Sequence, residues 1–202
     1  MRSPSADDRD SATSSMPLSP ATASRRRLHL RQVRYEGFER PDGLFDIEGY
    51  LTDTKDQDIM LLSGLRPAGE PVHEMQVRVT IDREFNVHAI EAHTDRMPYP
   101  GHCDQIHPGY EQLVGSNLVK GFRKRLHDLM GGLRGCTHVT ELLGYLPTAA
   151  VQTFSSLRKR EDQGPDKPFQ LDRCHALDTT GETVRRYYPK WHRGETAKTA
   201  SE

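Results

Sequence analysis

The sequence predicts an α+β fold, an antiparallel meander sheet covered on one face by two helices, with a C-terminal tail packed back on the body. Two patterns predict this class. From residue 28 to about residue 95 apolar side chains alternate with polar ones, as in strands, and from residue 114 to 154 they recur at helical spacing. Because the predicted sheet has one polar face, its apolar face needs a cover from later in the chain, which the helices supply.

Four strands are predicted in meander order. A turn at residues 40–43 separates the first two strands, and the short connection at residues 82–86 suits a hairpin between the last two. The alternation that predicts the strands covers residues 28–35, 45–51, 77–81 and 87–93, and the third strand is expected to start near His73.

Two predicted helices and a tail follow the strands. Apolar spacing at residues 114–129 predicts the first helix, which ends at Gly131. The second helix begins near its N-cap Thr137 and runs toward the basic residues 158–160, and Pro147 should kink or split it. The tail beyond it has too many large apolar side chains for a linker, so we expect a short hairpin or an extended piece packed on the body.

Residues 25–193 are predicted to form a single domain between a disordered arm, 1–24, and a disordered tail, 194–202. The chain has 202 residues, 34% of them hydrophobic and 28% charged, and its mean hydropathy is −0.76, so part of its length must be solvated. The arm has almost no bulky side chains and cannot bury enough apolar surface to offset its ordering entropy.

Several classes of protein are not favoured. No stretch approaches the roughly 20 consecutive apolar residues of a membrane-spanning helix, and the N-terminus has no apolar core of a secretory signal, so we expect a cytoplasmic protein without a membrane partner. The formal net charge is −1 and the basic cluster between Arg25 and Arg34 is short, so nucleic acid is not a favoured partner. Three cysteines, an odd count, indicate thiols or metal ligands rather than disulfides.

The segment GCTHVTELL at residues 135–143 is the strongest candidate for chemistry. With Thr137 as N-cap, Cys136 lies just outside the helix and His138 in its first turn, where unpaired amides and the helix dipole favour a thiolate. Cys136 is then a metal ligand together with His138, a nucleophile, or a packed core cysteine. The sequence leaves these three interpretations open.

Further donors lie on segments that the predicted topology brings to one end of the sheet. Cys103 follows the last strand, His73 begins the third, and Cys174 lies in the tail. Zinc binds thiolate and imidazole in sets of four, or of three with an open position in catalytic sites. The residues of a closed set are Cys103, Cys136, His138 and Cys174. In an open set, His73, His93 or Glu141 would transfer protons.

An acidic stretch around the second strand is the other candidate. Asp46 and Glu48 lie on one face of that strand, where they would form an acid–base pair or hold a hard cation. We favour the simpler interpretation that they belong to the polar outer face of an antiparallel sheet. The acids of this stretch are Asp42, Asp46, Glu48, Asp53, Asp56 and Asp58.

Several motifs follow one another in order along the chain. They are RPDGLFDIE at 40–48 with Leu51, Asp53 and Lys55, GEPVHEM at 69–75, Pro98-Tyr99 with Cys103, Gly121-Phe122, GCTHVTELL at 135–143, and Cys174-His175-Ala176. Together, over roughly residues 28–188, they resemble the bacterial family called domain of unknown function 2889. The resemblance implies a protein of bacteria with varied catabolic pathways, from a family without a well-established general activity. It also implies that the motif residues matter, without saying how.

The leading hypothesis from the sequence is a metal-assisted enzyme, a hydrolase or a lyase, that acts on a small organic catabolite and uses a divalent metal, with zinc the first choice. The expected metal ligands are Cys103, Cys136, His138 and Cys174, and the expected proton-transfer groups are His73 and Glu141. The alternatives are an enzyme that uses Cys136 as a nucleophile without metal, and a non-catalytic, metal-stabilised binding or regulatory module.

Overall fold

The computed structural model describes residues 19–155, 157 and 166–194, and it has the predicted α+β class. A four-stranded antiparallel sheet has the order β1-β2-β5-β6, and a small hairpin, β3-β4, is inserted between its second and third strands. The strands are β1 (His29–Glu39), β2 (Phe45–Lys55), β3 (Ile59–Leu61), β4 (Gly64–Arg66), β5 (Pro71–Ile81) and β6 (Val87–Arg96). The sequence analysis missed the hairpin because strands of three residues are too short to show alternation.

One face of the sheet carries the core. In β2 every second residue is buried, and these residues are Phe45, Ile47, Gly49, Leu51 and Asp53. Their neighbours in β5 on the same face are also buried, and these are Met75, Val77, Val79 and Ile81. Because residues two apart on a strand share a face, Asp53 lies at the end of an otherwise apolar, buried row.

Two helices complete the core. The helix α2 (Thr137–Ser155) packs directly on β1, β2 and β5, and α1 (Phe122–Met130) packs beside α2. Phe154 near the end of α2 lies against Phe45, with ring centroids 4.5 Å apart. At the other end of α2, its first turn lies over the end of the sheet where Asp53 is located.

The helices differ from their predicted bounds. The first helix begins at Phe122, and residues 107–113 form a 3₁₀ turn, so Val114 lies outside any helix and is 41% exposed. The prediction that helix starts at Val114 was wrong because Gly121, with φ of +74°, interrupts the chain in a left-handed conformation. Pro147 was predicted to kink or split the second helix, and the split was wrong, since α2 is continuous and its buried apolar face outweighs the hydrogen bond lost at proline. The kink stays a prediction.

The C-terminal segment is helical rather than the predicted hairpin or extended piece. It contains 3₁₀ turns at His175–Leu177 and Pro189–Trp191, and the short helix α3 (Glu182–Tyr187). The Asp172 carboxylate closes this segment on itself by accepting hydrogen bonds from the backbone and the hydroxyl of Thr179. Such local hydrogen bonds favour turns over strands and leave no signal in apolar periodicity. The predicted arm and tail, and residues 158–160, lie largely outside the described residues.

Substitution of Gly49 tests the close packing of α2 on the sheet. A Cβ at this position would lie 2.9 Å from Tyr35 Cε1 and 3.1 Å from Leu142 Cγ. We expect Gly49→Ala to lower the free energy of unfolding by about 1–3 kcal/mol, because the core has no room for another methyl group. Urea unfolding measures the change.

Gly144→Ala is the matched control for this substitution. Gly144 lies inside α2, and nothing stands within 4 Å of a Cβ built on it. Alanine should therefore raise the free energy of unfolding by about 0.5–1 kcal/mol through helix propensity. Destabilisation of equal size by both substitutions would show that the space around Gly49 is not limiting.

A candidate metal centre

The site is built where three strands and one helix meet. Across the sheet, Arg31 of β1 is paired with Asp53 of β2, and Asp53 is paired with His73 of β5. Directly paired residues of antiparallel strands project from the same face, so these three side chains form a row on the core face. His138, in the first turn of α2, lies above the row.

Three of these side chains bring possible ligand atoms together. One donor atom from each of Asp53, His73 and His138 lies within 4.8 Å of the other two. His73 Nδ1 is 3.2 Å and His138 Nε2 is 3.8 Å from Asp53 Oδ2, and the centroids of the two imidazole rings are 4.0 Å apart. An Asp/His/His set of this kind suits a divalent transition metal with open coordination positions.

Asp53 is a buried carboxylate held ionised by its neighbours. Its side chain is 5% exposed, and it accepts hydrogen bonds from Arg31 Nε and Nη2, at 2.8 and 2.9 Å, and from His29 Nε2 at 2.7 Å. Burial by itself would raise the pKa of Asp53, but the hydrogen bonds from Arg31 and His29 outweigh burial and lower that pKa to about 2. The carboxylate is therefore negatively charged and fixed in orientation.

Both imidazoles of the cluster have a lowered pKa, which favours their neutral form at pH 7. Burial lowers the pKa of His73, and the charge that His138 would carry lowers it further. Burial and the nearby Arg31 guanidinium lower the pKa of His138. Metal ions bind imidazole only in its deprotonated form, so both rings and the ionised Asp53 are in the protonation state of ligands before any metal arrives.

Glu141 marks the open side of the site. It lies one turn after His138 on α2, and its Oε2 accepts a hydrogen bond of 2.8 Å from Arg31 Nη1. Nearly half of the Glu141 side chain is exposed, in contrast to Asp53 on the other side of the same guanidinium. Arg31 therefore joins a buried carboxylate to an exposed one.

Cys136 lies on the far side of His138 from the carboxylate. Its Sγ is 4.0 Å from His138 Nδ1, whereas Nε2 of the same ring faces Asp53. The Cys136 carbonyl accepts the first helical hydrogen bond from Thr140, so Cys136 is the N-cap and the prediction of Thr137 was wrong by one residue. The Tyr110 hydroxyl accepts a hydrogen bond from the Cys136 backbone N–H and fixes this turn.

The other predicted ligands do not join the cluster. Cys103 is partly buried in the segment after β6, and Cys174 is exposed in the C-terminal segment. Among the residues that the structure describes, the group of close donors contains none of Cys103, Cys136 and Cys174. The role of these three cysteines as metal ligands stays a prediction.

Asp46 and Glu48, the candidate acid–base pair of β2, lie on the opposite, open face of the sheet. Glu48 accepts hydrogen bonds from the Tyr50 hydroxyl and from Arg78, and Asp46 accepts one from Thr80. These contacts satisfy both carboxylates within a polar outer face, as the simpler interpretation predicted. A shallow groove on this face is lined by Glu48, Tyr50, Gln76, Val77, Arg78, Glu91 and His93.

Acidification should destabilise the metal-free fold through this cluster in two steps. The folded state lowers the pKa of His73 and His138 below the ordinary histidine value of 6.5, and it lowers the pKa of Asp53 below the ordinary value of 3.8. The unfolded chain therefore takes up protons before the folded protein does as the pH falls. The free energy of unfolding should decrease below about pH 6.5, and again between about pH 4 and pH 2, where Asp53 contributes about 2 kcal/mol. Urea unfolding over this range measures both steps, and constant stability between about pH 7 and pH 5 would contradict the first.

Comparison with known proteins gives a family without an assigned activity. Neither the curated proteins nor the solved structures include a match to this chain. Among the described residues, no helix combines the length and apolar character needed to cross a bilayer. The family described as "Protein of unknown function (DUF2889)" matches residues 29–152, which include the whole cluster, Glu141 and Cys136 but not Cys174. The match spans more than half of the sequence and confirms the resemblance of the motifs, and the chain therefore belongs to this family.

Proposed function

We propose that this protein is a metal-assisted enzyme in which Asp53, His73 and His138 hold one divalent metal ion, and that it hydrolyses or cleaves a small organic molecule. The observation that carries the proposal is the convergence of donor atoms from one carboxylate and two imidazoles, all within 4.8 Å of one another, at one end of the sheet. A buried carboxylate and two imidazoles this close together can share one metal ion as a common partner, less than 3 Å from each.

The donor set favours zinc. Two imidazole nitrogens and one carboxylate oxygen are a common protein ligand set of catalytic zinc, and they leave a position open for water or substrate. When bound, such an ion polarises a carbonyl oxygen and lowers the pKa of a coordinated water. The same donors also suit ferrous iron, which makes metal identity the first measurement.

Residues around the three ligands have distinct roles in this proposal. In the tautomer that the proposal requires, His138 Nδ1 carries the proton and faces Cys136 Sγ, 4.0 Å away, and the Nε2 lone pair is directed at the metal. His73, which the sequence suggested for proton transfer, becomes a ligand because its Nδ1 faces the same Asp53 oxygen. Glu141 keeps the proton-transfer role, since it is the exposed carboxylate at the opening.

Elemental analysis tests metal binding. Protein purified without a histidine tag, stripped with a chelator and reloaded should bind one equivalent of zinc more tightly than iron(II) or manganese(II). Cys174→Ser is the matched control and should load to the same extent. Absence of any stoichiometric metal would remove the proposal.

Cobalt(II) substitution tests which atoms bind the metal. A cobalt ion held by Asp53, His73 and His138 gives visible absorption without the near-ultraviolet charge-transfer band of a cobalt–thiolate bond. A strong thiolate band that disappears in Cys136→Ser would place Cys136 among the ligands instead.

Turnover of chromogenic esters that requires the metal supports the hydrolase, and full loading without turnover on hydrolase and lyase substrates favours the non-catalytic module.

A second candidate function rests on the contact between Cys136 and His138. The imidazole lies between a thiol at 4.0 Å and the Asp53 carboxylate at 3.8 Å, an order of groups that resembles the nucleophile, the base and the orienting carboxylate of a catalytic triad. In that case a thiol-reactive probe at mildly acidic pH should label Cys136 faster than the exposed Cys174. Labelling at equal or slower rate would discard this candidate.

A further inference from the structure

Arg31 connects the proposed metal ligand to the opening of the site. Its Nε and Nη2 donate to the two oxygens of Asp53, and its Nη1 donates to Glu141 Oε2 at 2.8 Å. The Asp53 side chain is almost fully buried, whereas 36% of the Arg31 side chain and 47% of the Glu141 side chain are exposed. One edge of the guanidinium is therefore fixed inside the protein, and the other faces the opening, where a carboxylate already occupies it.

Glu141 is held weakly enough to be exchanged. Glu141 forms an ion pair with Arg31, and ion pairs between groups this exposed contribute little to stability. The Glu141 side chain turns about several single bonds, so it can leave Arg31 while α2 stays in place. A carboxylate from outside would make the same contact with Nη1.

The place of this exchange is next to the proposed metal. Arg31 Nη2 is 2.9 Å from Asp53 Oδ2, the oxygen that also faces His73 Nδ1 and His138 Nε2. With a divalent ion bound and both histidines neutral, the positive charge of Arg31 and the ion exceeds the negative charge of Asp53 and Glu141. The site therefore attracts anions.

We propose that Arg31 selects substrates that carry a carboxylate group, which replaces Glu141 on Nη1 beside the metal. The inference rests on the proposed metal-assisted function and names its class of substrate. A carboxylate fits better than a phosphate, because Glu141 is itself a carboxylate and because Arg31 presents one edge rather than the several donors that bind phosphate. The displaced Glu141 is then free to accept a proton.

Binding of a simple carboxylate to the cobalt-loaded full chain tests the inference. Propionate should shift the visible cobalt spectrum saturably, whereas the neutral propionamide and inorganic phosphate should bind at least about tenfold more weakly. Glu141→Gln removes the competing carboxylate and should tighten propionate binding about two- to fivefold. Asp56→Asn is the matched control, since Asp56 is another exposed partner of an arginine, Arg27, and should leave propionate binding unchanged.

The dependence of this gain on Arg31 is decisive. When Arg31→Lys is combined with Glu141→Gln, the gain in propionate affinity caused by Glu141→Gln should disappear. If Arg31→Lys does not bind cobalt, the propionate affinities of Glu141→Gln and Asp56→Asn are compared instead. Equal binding of propionamide or phosphate, an equal gain in Asp56→Asn, or no gain in Glu141→Gln would overturn the inference. Cobalt binding without any response to propionate overturns this inference alone, whereas no cobalt binding at all overturns the proposed function with it.

Discussion

Asp53→Asn is expected to weaken zinc binding by at least about 100-fold. Removal of a residue that only hydrogen-bonds to a metal ligand lowers metal affinity roughly 10–100-fold, and removal of a ligand itself should lower it more. Asparagine keeps the size of the side chain but removes the charge that balances Arg31 and would balance the metal. The same substitution should lower the free energy of unfolding of the metal-free protein by about 1–3 kcal/mol, because Arg31 loses a buried, doubly hydrogen-bonded partner. Isothermal titration calorimetry and urea unfolding measure the two effects.

Glu48→Gln is the matched control for Asp53→Asn. Glu48 is another carboxylate of β2 that pairs with an arginine, Arg78, but it is only partly buried and lies on the opposite face of the sheet. Its replacement should alter stability and leave zinc affinity unchanged. An equal loss of zinc affinity in both variants would show that charge anywhere on β2, rather than the cluster, controls binding.

The double substitution His73→Gln with His138→Gln is expected to abolish stoichiometric zinc binding, while each single substitution weakens it at least about 100-fold. Unlike Asp53→Asn, these changes should not destabilise the metal-free protein at acidic pH. Both imidazoles resist protonation in the folded state, so their removal eliminates a source of acid destabilisation. Zinc titration at pH 7 and urea unfolding at about pH 5 separate the two effects.

His93→Gln is the control for the histidine variants. His93 lies on the open face and pairs with Asp95, at 3.0 Å. Its replacement should change neither zinc affinity nor the pH dependence that we assign to the buried pair. A double variant His73→Gln, His138→Gln that still binds one zinc ion as tightly as the wild type would contradict the assignment.

The main features of the fold could be predicted from the sequence because they follow from periodicity. The row Phe45, Ile47 and Leu51 marks the buried face of β2, and the meander order brings the start of β5 next to the end of β2. His138 could be placed in the first turn of α2 from the cap signal, although the N-cap is Cys136 rather than Thr137. Left-handed Gly121 and the local hydrogen bonds of Asp172 escaped prediction, since neither changes the apolar pattern.

The site could be predicted in part. His73 and His138 were expected at one end of the sheet, and they do meet, but Asp53 was grouped with acids of the outer face. The signal that would have separated it is its odd position, which continues the buried row of Phe45, Ile47 and Leu51. A charge at the end of an apolar row is costly to bury unless it is paired, and Arg31 and His29 supply partners from a strand whose register the sequence does not reveal.

Anomalous diffraction at the absorption edge of the bound metal, from crystals of zinc-loaded protein, tests the central claim most directly. We predict a single strong peak bonded to Asp53, His73 and His138, at about 2.0–2.2 Å from each ligand atom. A peak bonded to Cys103, Cys136 or Cys174 without Asp53 and His73, or no peak in zinc-loaded crystals, would contradict the account.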